Sequence, residues 1–98
     1  MLVGSLVVDL RCVGTRSLKE KRAVIQPILE GCRRRYGVAA SEVDHQNLWQ
    51  RATIAVATVS GSPMQVAQVL EAVERFVWSF PDIEVGMVRR CWLNPDDD

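Results

Sequence analysis

Arg16-Ser17-Leu18-Lys19-Glu20-Lys21-Arg22 is the point where strand-like sequence gives way to helical sequence. Upstream, residues 2–12 (Leu-Val-Gly-Ser-Leu-Val-Val-Asp-Leu-Arg-Cys) are rich in β-branched side chains and alternate from Val7 onward. Leu6, Val8, Leu10 and Cys12 share one face, and Ser5, Val7, Asp9 and Arg11 the other. Val13-Gly14-Thr15-Arg16 reads as the loop. Downstream, Ser17-x-x-Glu20 is a capping box, in which the Ser17 hydroxyl accepts from the third helical amide while Glu20 reaches back to the Ser17 amide. Leu18, Ile25, Ile28, Leu29, Cys32 and Tyr36 then recur at helical spacing. Pro27 removes the bond to the Ala23 carbonyl, so a kink or local unwinding is expected there. Arg33-Arg34-Arg35 fills the last turn, and Gly37 suits a left-handed C-cap.

Working outward, Val38 to Val43 is a second, shorter strand. Asp44-His45-Gln46-Asn47 is polar turn material, and Leu48 to Ser60 reads as a long third strand. Ala52, Ile54 and Val56 face one way on it, while Trp49, Arg51, Thr53, Ala55 and Ala57 face the other. Gly61-Ser62-Pro63 starts a second helix, with Pro63 at its first position and Gln65 completing a second capping box. Val66, Val69, Leu70, Val73, Phe76, Val77 and Phe80 form its apolar stripe. Ile83 to Leu93 is the last strand, with Ile83, Val85, Met87, Cys91 and Leu93 assigned to one face and Val88, Arg90 and Trp92 to the other. Residues 1–95 read as one domain, and the acidic residues 96–98 as a frayed tail.

The order β-α-β-β-α-β defines an α+β class, a two-layer ferredoxin-like sandwich. Its antiparallel four-stranded sheet runs in the order 4-1-3-2 with both helices on one face. This topology brings the loop after strand 1 and the turn between strands 2 and 3 to the same end. Arg16 to Lys19 should therefore meet Asp44, His45, Gln46 and Asn47. The sheet face opposite the helices has no internal cover and is expected to carry Trp49, Arg51, Arg90 and Trp92.

Apolar residues make up 48% of the chain and charged residues 24%, the balance of a folded globular protein. No apolar run is long enough to span a membrane. Met1 leads straight into strand-like sequence with no signal-type segment, which sets the expectation of a cytoplasmic protein. Cys12, Cys32 and Cys91 are scattered, and His45 is the single histidine, so no metal site and no cofactor are expected. Net charge is zero, yet residues 1–35 carry eight cations against three anions, while the remaining residues carry four against nine. A basic half of this kind can steer an anionic partner.

Ser17 to Arg22, followed by Glu42-Val43-Asp44-His45-Gln46-Asn47-Leu48-Trp49-Gln50-Arg51-Ala52, resembles the YlxP-like proteins, a bacterial family of unknown function. The resemblance covers nearly the whole chain. It implies a ferredoxin-like fold and, through genes neighbouring those of translation initiation factors and ribosome-binding factor A, an association with translation. It brings no reaction and no catalytic residues.

The sequence thus supports a non-catalytic module for RNA or a ribosomal particle. Arg16, Lys19, Lys21, Arg22, Arg33, Arg34 and Arg35 are its candidate anion-binding residues. Cations in a first helical turn oppose the macrodipole, which argues for a purpose beyond helix formation. Base stacking on the sheet, as in RNA-recognition motifs, is disfavoured because strand 1 has no aromatic residue. A homodimer pairing through the open sheet face is the second reading. A third is an acylphosphatase-like enzyme holding phosphate with Arg16 and Asn47. It lacks that family's glycine-bearing loop, and Asn47 falls before strand 3.

Overall fold

The computed structural model describes residues 1–95, so the acidic tail lies outside the described residues. The elements are β1 (Leu2–Cys12), α1 (Leu18–Tyr36), β2 (Ala39–Asp44), β3 (Arg51–Ser60), α2 (Pro63–Trp78) and β4 (Ile83–Leu93). One antiparallel sheet has the order β2-β3-β1-β4, which is the expected order read from the other edge. Both helices lie on the face that holds Leu6, Val8, Leu10, Ala52, Ile54 and Val56, all at most 2% exposed. Ile25, Ile28, Leu29 and Cys32 from α1 and Val66, Leu70, Val73 and Val77 from α2 close this core.

The helix ends follow their sequence signals with small shifts. The Ser17 hydroxyl accepts from the Glu20 amide at 3.1 Å, while the Glu20 carboxylate accepts from the Arg16 amide, one residue earlier than a standard box. Ser62 caps α2 through the Gln65 amide at 3.3 Å, and the Gln65 side chain turns to the Ser60 hydroxyl. Gly37 takes the left-handed cap at φ 64°, donating to the Arg33 carbonyl. α1 continues through Pro27 without the expected unwinding. Ala23 and Pro27 are both exposed, so solvent can take the orphaned carbonyl. Gly31 is needed for a different reason. A Cβ there would run into the Phe76 ring, where the two helices approach.

The largest departure from expectation is in β4. Val8 pairs with Val88, but Leu10 pairs with Val85, so β4 carries one extra residue opposite Asp9. A one-residue bulge moves every later side chain to the other face. Val88, Arg90 and Trp92 therefore stand on the helix side, opposite Val8, Leu6 and Gly4. Arg90 pairs with Glu74 of α2 at 3.1 Å, and the Trp92 ring lies over Gly4. Met87, Cys91 and Leu93, expected in the core, are exposed.

The cysteines are free. Burial pushes the Cys32 thiol up to about 11 and raises that of Cys12, where the Lys21 ammonium opposes the shift and Glu42 adds to it. A thiol reagent at neutral pH should modify Cys91 alone until the chain unfolds, as mass spectrometry would count. A raised folded-state value means that the folded state holds the proton more tightly. The stability linked to Cys32 is then complete below its ordinary value of 9.0 and lost as pH rises through about 11. The loss is on the order of 3 kcal/mol. Denaturant midpoints should fall over that window, and less so in Cys32→Ala.

Candidate functional site

The start of α1 and the segment between β2 and β3 meet, as the topology requires, and one buried lysine joins them. Lys21 is 1% exposed. Its position, four residues before Ile25 and seven before Ile28, places it on the core-facing stripe of α1. Nζ donates to the backbone carbonyls of His45 (2.8 Å), Gln46 (3.3 Å) and Arg51 (3.1 Å). Glu42 Oε2, on the inward side of β2, lies 2.8 Å from the same nitrogen and has no hydrogen bond of its own. Lys21, expected among the anion-binding cations, is instead buried and bonded internally, out of reach of an outside anion. Its charge is spent inside the protein, because an ammonium taken from water needs a carboxylate and good acceptors around it.

Three further contacts hold the segment. The buried Thr15 hydroxyl donates to the Trp49 carbonyl at 2.6 Å, the Cys12 amide to the Gln50 carbonyl at 2.8 Å, and Gln50 Nε2 to the Thr15 carbonyl at 3.4 Å. His45 takes a positive φ of 61°, a region polar residues enter more readily than branched ones. Asp44 Oδ1 accepts from the His45 amide at 2.7 Å, so this carboxylate caps the turn rather than orienting the imidazole. Leu48 and Trp49, by contrast, are 45% and 56% exposed. Trp49 was expected on a sheet face. It lies instead in the turn, because β3 begins only at Arg51.

Arg16, Lys19 and Arg22 are exposed around this end, without a carboxylate partner among the described residues. The triple arginine divides. Arg33 donates through Nε and Nη2 to the Ala40 carbonyl, fastening α1 to β2, and Arg35 lies 5.2 Å from the centroid of the Phe76 ring. Arg34 is exposed and unpaired among the described residues. Of the residues expected on the open face, Arg51 is there, near Arg11 and Glu84. Arg90 and Trp92 are not. The bulge that moves them has a sequence signal in Gly86, a glycine inside a strand. Thr15 and Glu42 were missed as holding residues. Glu42 had a signal, since it alternates inward with Val38 and Ala40.

Among the described residues no three histidine, cysteine or acidic side chains group to hold a metal ion, and no helix is long and apolar enough to cross a membrane. A solved structure titled "De novo designed protein Foldit4" superimposes with a TM-score of 0.57, covering 93% of this chain and 97% of that one at 15% identity, which concerns the fold alone. The Bacillus subtilis (strain 168) protein named "Uncharacterized protein YlxP" is 42% identical over 77 residues, 79% of this chain and 84% of its own length. Residues 3–90 match the family described as "Protein of unknown function (DUF503)". On both counts, this chain belongs to the DUF503 family.

Proposed function

We propose that the protein is a non-catalytic module that binds the phosphate backbone of RNA, free or in a ribosomal particle. It would do so through Arg16, Lys19 and Arg22, with Arg34 further along α1. The observation that carries this reading is a difference in pairing. Arg11, Arg75 and Arg90 each have a glutamate partner within 3.7 Å, whereas the four α1-side cations, like Arg51 and Arg89 on the sheet, have none among the described residues. Unpaired cations at a helix start carry a dipole cost of about 0.3–1 kcal/mol each at low salt. A bound phosphate, placed near free helix amides, turns that cost into a gain. Filter binding of single-stranded RNA should therefore be measurable at 50 mM salt and fall steeply by 200 mM. The logarithmic slope is about −0.7 per phosphate engaged. No binding at the lower salt would sink the proposal.

A second reading, self-association through the uncovered sheet, rests on its own observation. The middle of that face is small and apolar: Val3, Val7, Ala39, Ala55, Ala57 and Val59. Three long strands of about 33–36 Å and the shorter β2 of about 20 Å, spaced about 4.8 Å apart, give a face on the order of 600 Å², somewhat below the roughly 800 Å² per partner of a standard interface. Light scattering should show a dimer for the wild type and a folded monomer for Ala57→Arg. A wild-type monomer at high concentration would contradict this reading.

A further inference from the structure

The turn between β2 and β3 combines a fixed backbone with exposed recognition chemistry. Holding residues 45–51 takes a buried ammonium, a buried hydroxyl and a strained histidine. A buried lysine is costly, and a shorter hairpin turn would connect the strands without one. What the network secures is the position of the outward side chains. A cavity of about 480 Å³ is lined there by Asn47, Leu48, Trp49, Gln50 and Arg51. Its chemistry is an indole face, two carboxamides and a guanidinium. The Asn47 carboxamide has no partner among the described residues, and Gln50 keeps its Oε1 open. Thr15, bonded to the Trp49 carbonyl, ties the loop between β1 and α1 to this segment, and Arg16 is the next residue of that loop.

We infer that this cavity takes one unpaired nucleotide of an RNA strand. The base stacks on Trp49 and meets the carboxamides of Asn47 and Gln50 with its polar edge, while Arg51 and Arg16 receive the flanking phosphates. An aromatic ring, edge-reading amides and nearby cations are what single-stranded RNA sites require. An apolar protein anchor would make no use of the two amides or the guanidinium. The sheet lacks the aromatic pair of RNA-recognition motifs, but the stacking group has been moved to a held turn at the cationic end. This inference rests on the RNA-binding reading and goes beyond it by naming the strand state and the stacking residue.

The test uses the full chain carrying Trp78→Phe and Trp92→Phe, which leaves Trp49 as the only tryptophan. Its emission is followed at 50 mM salt against single-stranded oligoadenylate, a duplex RNA of equal length, and adenosine monophosphate. The expected result is quenching by the single strand and little by the duplex. Trp49→Ala should weaken single-strand binding about five- to a hundredfold with an unchanged salt slope, and Trp49→Phe should retain most of it. Binding without quenching, and without an effect of Trp49→Ala, would overturn the nucleotide site. The α1 reading would then stand, and the exposed Leu48–Trp49 pair would belong to a protein contact. Adenosine monophosphate binding as tightly as the oligonucleotide would also overturn it. No binding of any RNA would overturn both readings.

Discussion

Lys21→Met is expected to lower the unfolding free energy by about 3–5 kcal/mol, a large share of the stability of a domain this size. The side chain length is kept, so the loss comes from charge and hydrogen bonding. The Glu42 carboxylate, with an oxygen buried and no hydrogen bond, loses its one counter-charge. Two turn carbonyls and the Arg51 carbonyl at the start of β3 lose their shared donor, each bond worth about 1 kcal/mol. Lys21→Met combined with Glu42→Leu should recover the part due to the orphaned carboxylate but not the part due to the carbonyls. Lys19→Met, on the exposed side of the same turn, should change stability by less than about 0.5 kcal/mol. Guanidinium denaturation of the four proteins separates these terms. Equal effects at residues 19 and 21 would refute the division of the basic stretch.

Arg16, Lys19 and Arg22 changed together to alanine should give the opposite pattern. Stability should hold or rise slightly, because three cations leave the positive end of a helix dipole. The Ser17 and Glu20 caps do not depend on these side chains. RNA affinity, however, should fall by on the order of a hundredfold at 50 mM salt, since three lost phosphate contacts remove about 2 from the salt slope. The Arg33→Ala change is different in kind. Its guanidinium holds the Ala40 carbonyl of β2, so a loss of stability there would not report on RNA. Filter binding across a salt series checks the slope directly.

Most of the fold was legible because each element carries its own period and its own cap. Leu6-x-Val8-x-Leu10 could only be a half-buried strand, and Ser62-Pro63 could only open a helix. The β4 faces were misread for one reason. Strict alternation was carried across Gly86, where the chain inserts a residue and reverses everything after it. Lys21 was misread because a lysine is almost never fully buried, and that prior overrode the stripe position it occupies. The inward phase of Glu42 on β2, opposite in sign, would have supplied the partner. The meeting of the α1 start with Asp44–Asn47 followed from topology. The bonds that hold the turn did not, since carbonyls of irregular backbone leave no mark in a sequence.

Amide chemical-shift mapping of the labelled wild-type protein against single-stranded RNA at 50 mM salt addresses the central claim most directly. In the proposed arrangement, α1's start and the held turn form one RNA-facing end. The expected perturbations fall on residues 15–22 and 45–51 together and fade by 200 mM. Perturbations confined to the open face of β1 and β3, or none at 50 mM salt, would contradict it.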